Sequence, residues 1–311
     1  LLASLVNRRD FIRNLSAASP LMLLSPTLLA SCAAQEPIRP NGKKVVVVGA
    51  GISGLAAAQQ LRQQGYDVLV LEAQEKVGGR IRTNRSLGVP FDEGASWIHG
   101  PRKNPITDLA TKAGATTYLT DDDSVKLFDL GGKPYTDSAL TTIEKQYNEA
   151  LSAVEKAGST TRSFQEVFGQ LYPTRLNDRL WKYLLSSYLE FNTGGDIADL
   201  SSKYFYDDED FKGEDVIITN GYDTITDFLA KGLTIRLNTR VTGIDYSSPT
   251  IKVSLDQEVI EADHVLVTVP LGVLKKGVIT FTPALPQEKQ TAIAKTQMGT
   301  VNKFLLVWDA A

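Results

Sequence analysis

The chain has 311 residues, 42% hydrophobic and 22% charged, enough apolar material for a large core and enough length for about two domains, which excludes collagen-like, coiled-coil and wholly disordered chains. Its 33 basic and 36 acidic residues leave a net charge of -3, with no Lys/Arg run to serve as the electrostatic footprint of a nucleic-acid binder, so nucleic acid is not an expected partner. One cysteine and two histidines exclude a disulfide framework, a CxxC redox pair and a metal site of the usual zinc ligands, and point instead to a borrowed organic cofactor.

Residues 1–32 set Arg8, Arg9 and Arg13 against one acid, Asp10, ahead of an apolar stretch from Leu15 to Ala30. That order is the order of a secretory signal. Asn7-Arg8-Arg9-Asp10-Phe11-Ile12-Arg13 resembles the twin-arginine export motif, and Leu29-Ala30-Ser31-Cys32 resembles the lipobox of bacterial lipoproteins. Together they imply a periplasmic protein held to a membrane by lipid on Cys32. A buried N-terminal helix is the alternative, which Pro20 and Pro26 oppose. A polar, Pro-containing linker fills 33–42.

Val45-Val46-Val47-Val48 is continuously apolar and β-branched, as in a parallel strand covered on both faces. Gly49-Ala50-Gly51-Ile52-Ser53-Gly54 follows, then a helical stretch from Leu55 to Gln64 closed by Gly65, then a strand from Asp67 to Leu71 that delivers Glu72. This is the dinucleotide-binding βαβ pattern: Gly49 for the tight turn, Gly51 for close approach of backbone N–H groups to a pyrophosphate, and Gly54 for packing helix on strand. Phosphate is expected at the helix N-terminus. Glu72 is expected to accept hydrogen bonds from both adenosine ribose hydroxyls, which argues against a 2′-phosphate.

The run continues as Ala73-Gln74-Glu75-Lys76-Val77-Gly78-Gly79-Arg80, and Phe91-Asp92-Glu93-Gly94-Ala95-Ser96-Trp97-Ile98-His99-Gly100 comes soon after. Here the chain resembles the flavin-containing amine oxidases, which include monoamine oxidases, polyamine oxidases and flavin-dependent histone demethylases. The resemblance implies FAD, with Gly79 and Arg80 near the diphosphate and flavin. It also implies that the strip Gly94, Ala95, Ser96 and Trp97 passes the flavin ring, with Gly94 and Ala95 leaving room for it. In relatives with the same WxHG string the histidine points toward substrate, which makes His99 a catalytic candidate. Gln74 departs from the basic residue that many relatives carry beside the acid.

In the middle of the chain Asn104-Pro105 and Gly114 bracket a short helix. Further helices are expected from Ser138 to Ala157, from the capping box Ser163-Phe164-Gln165-Glu166, and from Leu176 to Phe191. Asp121-Asp122-Asp123 and Asp207-Asp208-Glu209-Asp210 lack the glycine and final Glu of an EF-hand loop and read as solvated acidic loops. From Asp215 short apolar runs return. Strands are expected at Val216–Ile218, Leu233–Leu237 and Val241–Tyr246, with a helix after Gly221-Tyr222 ending at Ala230. A hairpin is expected at 251–255 and 258–260, and His264–Val269 is the expected return strand of the nucleotide domain. By resemblance Val241 gives backbone contacts to adenine, and Thr268-Val269-Pro270-Leu271-Gly272-Val273-Leu274 closes that subdomain. His264, beside Asp263 at a strand start, reads as structural.

Gln297-Met298-Gly299-Thr300-Val301-Asn302-Lys303 precedes an apolar run, Phe304 to Trp308, expected to be a strand. The family carries a lysine at this MGxxxK position, near flavin N5 through a water, so Lys303 is the leading catalytic candidate; its ammonium would stabilise negative charge on reduced flavin and oxygen species. The start at Leu1 and the apolar end lead us to expect a fragment, with the aromatic cage for substrate and a second set of flavin contacts falling partly beyond it.

The expected fold is α/β: an FAD-binding, Rossmann-like (two-dinucleotide-binding) domain from 43–101 and 215–283, with a discontinuous, partly helical substrate domain from 102–214 and 284–311. The resemblance implies oxidation of a C–N bond of a small-molecule amine, polyamine or monoamine, with O2 as acceptor. An L-amino-acid oxidase or a tryptophan 2-monooxygenase-like enzyme shares nearly all these motifs. A desaturase or protoporphyrinogen oxidase shares the first but lacks the MGxxxK lysine and the WxHG string. A non-catalytic, lipid-tethered FAD-binding protein is the remaining alternative.

Overall fold

A computed structural model describes residues 40–120, 126–206 and 211–308. The signal-like segment with Cys32, the linker up to residue 39, and the acidic runs at 121–123 and 207–210 lie outside the described residues.

β1 (Lys44–Val48), α1 (Ile52–Gln63) and β2 (Asp67–Leu71) form the opening unit. β1 lies between β2 and the strand His264–Val267, all parallel, and Thr234–Arg236 extends the sheet beyond β2. One sheet is thus built from two stretches of chain separated by the whole helical middle. The valines of β1 divide by alternation, as a pleated strand requires. Val45 and Val47 pack with Leu55 and Ala58 of α1 and with Ile225 and Leu229 of the helix Asp223–Ala230. Val46 and Val48 pack with Val241, Ile244, Val253 and Ile260 of a second sheet. That sheet holds the hairpin Ile251–Leu255 and Val259–Ala262, the strand Val241–Asp245, and Thr280–Thr282 along its outer edge. Both faces of β1 are therefore covered, which is why its sequence carries no polar alternation.

The helix Pro105–Ala113 forms as its termini dictate. The Asn104 side chain accepts from the Ile106 N–H at 3.0 Å, Pro105 opens the first turn, and Gly114 takes a left-handed φ of 74°. Its buried Ala110 joins the same core as Val47 and Leu55, so the segment after residue 101 begins by packing on the nucleotide sheet. Thr117–Leu119 then pairs with Val216–Ile218, which pairs on its other side with Trp97–Ile98.

A separate core belongs to the helices. Asp137–Ala157 and Phe164–Leu171 enclose Val154, Phe164, Val167 and Phe168 together with Trp181 and Leu189. The capping box is complete: the Glu166 N–H donates to Ser163 Oγ at 3.2 Å and the Ser163 N–H to Glu166 Oε2 at 2.9 Å. The helix expected from Leu176 to Phe191 starts later, at Arg179, and runs without a gap to Thr193. A 3₁₀ turn, Arg175–Asn177, ends at Asp178, whose side chain accepts from the Trp181 N–H at 3.0 Å and starts a new helix, Arg179–Leu184. Six π-helical residues, Leu185–Glu190, follow. Leu185 and Leu189, one turn apart, both reach the core.

The tail helix Gln287–Lys295 is tied to Leu271–Lys275 through Lys275 Nζ, which donates to the carbonyls of Ala294 at 3.0 Å and Thr296 at 2.8 Å. Phe304 to Trp308 is not a strand: no neighbouring strand among the described residues pairs with it, and Phe304 is 88% exposed. Apolar composition gives a strand only where a ladder partner exists.

Phe168 is fully buried between Phe164 and Trp181, with ring centroids 5.7 and 5.6 Å away. Phe168→Ala is expected to cost about 3–5 kcal/mol, read as a lower midpoint in denaturant unfolding with native secondary structure retained at zero denaturant.

Candidate active site

The turn after β1 is shaped by three glycines with three different constraints. Gly49 holds a φ of 107°, and a Cβ there would stand 2.9 Å from Thr268 Oγ1. A Cβ on Gly54 would collide with the Gly49 carbonyl oxygen and come within 2.7 Å of the same hydroxyl. A Cβ on Gly51 would meet nothing within 4 Å. Two glycines therefore serve packing, and the third faces open space at the start of α1. The first turn of α1 has no acidic residue and no capping side chain, so its free N–H groups and the positive end of its dipole remain available to an anion.

Glu72 is buried at the end of β2, where Oε2 accepts from the Ala50 N–H at 2.7 Å and Oε1 from the Gln74 N–H at 2.9 Å. Each carboxylate oxygen keeps a second acceptor position. Three main-chain bonds lay the stretch before Val241 beside it: Glu72 N to Arg236 O at 2.9 Å, Asn238 N to Gln74 O at 2.9 Å and Thr239 N to Glu72 O at 2.8 Å. Ala73 is exposed along this edge and Val241 is buried behind it. An anion-accepting helix end, an open glycine and a buried carboxylate, all at the carboxyl ends of parallel strands, fit the pyrophosphate and ribose of an adenine dinucleotide.

Gly78 and Gly79 press against this turn. Gly78 N donates to Ala50 O at 2.8 Å, and a Cβ on Gly79 would lie 3.5 Å from the Gly51 Cα. Arg80 comes next, with its side chain exposed. Its carbonyl accepts from Ala95 N at 3.3 Å and would collide with any Cβ on Gly94. The missing side chain of Gly94 thus admits the Arg80 backbone.

Lys303 arrives from far along the chain and lies on the same strip. Its ammonium donates to the carbonyls of Asp92 at 2.9 Å and Gly94 at 2.5 Å and to Ser96 Oγ, and stands 5.2 Å from the centre of the Trp97 ring. All three ammonium donors are engaged. Burial pushes the Lys303 pKa below the ordinary lysine value, and the Asp92 carboxylate pulls it partly back. The fingerprint, Arg80, Gly94 and Lys303 thus form one continuous contact path. His99 lies further along the strip, its side chain 79% exposed and its Nδ1 at 2.5 Å from Asp215 Oδ2.

Several supporting residues had no assigned role in the sequence. Asp92 is buried; Oδ1 accepts from Thr83 Oγ1 at 2.5 Å, and the two carboxylate oxygens accept from Tyr222 N at 3.1 and 3.2 Å. Burial, with the Asp92 charge, lifts the Tyr222 phenol to about 12. Arg85 grips Asp223 with two bonds, at 2.5 and 2.7 Å, and Thr83 Oγ1 accepts from Asp223 N at 3.2 Å. Asp92 sits inside a motif already singled out. Asp223 lies 138 positions from Arg85, and no local pattern announces such a pair. His264 takes the structural place expected of it, in register with Val45 and edge-on to Tyr66.

The model of a protein family described as flavin containing amine oxidoreductase matches residues 52–311. Polyamine oxidase 2 of Arabidopsis thaliana is 33% identical over 303 residues, covering 90% of this chain and 62% of its own length. Lysine-specific histone demethylase 2 of Homo sapiens is 30% identical over 295 residues, covering 87% of this chain and 36% of its own. A solved putrescine oxidase structure, bound to putrescine, shares the fold with a TM-score of 0.65 over 81% of this chain and 63% of that one, at 21% identity. The chain spans less than two thirds of the length of these curated relatives.

Burial raises the Asp223 carboxyl, but the bonds from Arg85 and Thr83 outweigh it and hold the group below its ordinary value of 3.8. A depressed folded-state pKa stabilises above the unfolded value and loses that contribution as pH falls through the folded one. The stability difference between wild type and Arg85→Ala is therefore expected to be constant near neutrality and to shrink as pH falls below about 4; denaturant unfolding at stepped pH measures it.

Proposed function

The chain belongs to the flavin containing amine oxidoreductase family, and from that premise we propose that it is the major part of an FAD-dependent oxidase of a small primary or secondary amine, polyamine or monoamine, with O2 as acceptor. The observation that carries the reading is Lys303, which lies 209 positions from Gly94 in sequence and donates to its carbonyl. FAD is the cofactor. When bound it takes a hydride equivalent from the carbon beside nitrogen and passes the electrons to O2, so that an imine, then an aldehyde, and H2O2 are the products.

The residues of this chain divide the remaining work. The backbone of Gly49, Ala50 and Gly51 and the N–H groups of Ser53 and Gly54 hold the pyrophosphate, with Gly79 and Arg80 closing over it. Glu72 and Ala73 receive the adenosine ribose, and the backbone at Val241 borders the adenine. Gly94, Ala95, Ser96 and Trp97 line the flavin. Lys303 holds a partly dehydrated positive charge beside that strip, where a charge acts more strongly than in water. A protonated amine must shed its proton before oxidation; the exposed Trp97 face offers it an aromatic surface, and His99 on the same strip faces it.

Flavin absorbance on the full-length protein, followed by anaerobic titration with polyamines, aromatic monoamines and amino acids, tests the reading. Bleaching by a polyamine or monoamine is expected. Bleaching by amino acids alone would move the enzyme to the amino-acid oxidases, and a bound flavin reduced by none of these compounds, or a colourless protein, would refute it. Lys303→Met should retain FAD and slow reoxidation by O2 on the order of 100-fold, measured by stopped flow. The signal-like segment supports a second proposal, export by the twin-arginine route and a lipid anchor at Cys32. Cys32→Ala should then shift the protein from the membrane to the soluble fraction on fractionation, and an unchanged membrane fraction would count against the anchor.

A further inference from the structure

We propose that Asp215 is a positioning residue for His99: it fixes the imidazole as the Nδ1–H tautomer and leaves Nε2 as proton acceptor for an incoming protonated amine. This deepens the amine-oxidising reading above and rests on it.

Four hydrogen bonds hold Asp215, two at its carboxylate and two at its main-chain carbonyl. Asp215 Oδ2 lies 2.5 Å from His99 Nδ1, and Oδ1 accepts from the Gly100 N–H at 3.0 Å. The Asp215 carbonyl accepts from both donors of Thr120, the N–H at 3.0 Å and Oγ1 at 2.9 Å. His99 is fixed from its other end as well, since its carbonyl accepts from Asn104 Nδ2 at 2.9 Å. The two chain segments are joined again where Arg102 N donates to Lys212 O at 2.9 Å, and Gly100, at a φ of 59°, is packed so closely on the Phe211 backbone that a Cβ would collide. Neither partner of the dyad hangs on a free loop end.

The ring is set against the outside of the strip: Ile98 is buried, while Trp97 and His99 on either side of it are exposed. Lys303 stands over Trp97 on that strip. The His99 side chain is 79% exposed against 26% for Asp215. Its outer nitrogen is open to an incoming molecule while the carboxylate is shielded behind it. A hydrogen bond so exposed adds little to stability, and its consequence is orientation.

A carboxylate only accepts, so Nδ1 must donate to it, and the neutral ring then carries its lone pair on Nε2. A proton moves from the substrate ammonium to Nε2: one N–H bond breaks on the amine, one forms on the imidazole, and the positive charge passes to a ring that Asp215 already faces. The amine is left neutral with its lone pair free, the form from which a hydride equivalent can depart. The proton leaves to water from the exposed side of the ring.

Asp215→Asn separates orientation from folding, because the amide oxygen still accepts from Gly100 N–H while its NH2 faces Nδ1 and forces the Nε2–H tautomer. Nitrogen-15 spectra of the FAD-loaded full-length protein read the tautomer directly, with His264 as internal control and His99→Gln as assignment. Nδ1–H in the wild type and Nε2–H in Asp215→Asn are expected, with the His264 signal unmoved. With the amine that best bleaches the flavin, kcat/KM of Asp215→Asn should fall on the order of 10- to 100-fold, recover in part in Asp215→Glu, and fall no further when the change is made in His99→Gln. Nε2–H in the wild type, or a further loss of similar size in the His99→Gln background, would overturn the proposal. If no amine reduces the flavin, the amine-oxidising reading fails by itself, and the tautomer spectra still decide whether Asp215 orients His99.

Discussion

A lysine ammonium held by two main-chain carbonyls and a serine hydroxyl is the interaction on which the arrangement of this molecule turns. Lys303 reaches Asp92, Gly94 and Ser96 with all of its donors, and in doing so fixes the tail of the chain to the strip that continues from the dinucleotide turn. Carbonyls and hydroxyls solvate the charge without neutralising it. An aspartate in their place would give a tighter pair and cancel the field that the site needs. The cost is desolvation, visible as the lowered lysine pKa. It is offset in part by the Asp92 carboxylate, which is turned away toward Tyr222 N and Thr83 while its carbonyl faces the lysine.

The legibility of this molecule follows the range of its interactions. The βαβ unit was readable because all of its constraints lie within about thirty residues: a strand covered on both faces, a turn of glycines and an acid at the next strand end. The helix at Pro105 and the capping box at Ser163 were readable for the same reason, since each is decided by residues three or four positions apart. Lys303 was found only through the family motif; its own surroundings, an apolar run after a glycine, resemble any strand edge. The helix expected from Leu176 starts at Arg179 because Asp178 caps it there, and neither that cap nor the π-helical stretch that follows leaves a mark in a hydrophobic pattern.

The glycines differ in what would meet an added side chain. Gly94 belongs to the strip beside Lys303, as its motif implies, yet the space released by its missing side chain is filled by the Arg80 carbonyl. Gly54 answers to the Gly49 backbone and Thr268, as packing of helix on strand requires, while Gly51, the one with open space above it, is the one whose freedom an external group could use. Distinguishing the two kinds requires knowing what would touch the absent Cβ, which no sequence records.

The distribution of charge along the strip from Asp92 to Gly100 then has a consistent logic. At one end a cation is held by neutral oxygens and shielded, so its field persists but its protons are occupied. At the other end a shielded carboxylate backs an exposed imidazole, so the proton-accepting atom faces outward. Trp97 lies between the two along the strip, with the lysine ammonium 5.2 Å from its ring centre. The strip thus carries a fixed positive charge, where negative charge would be stabilised, and a proton acceptor further along it. That order suits a reaction in which a substrate gives up both a proton and a pair of electrons.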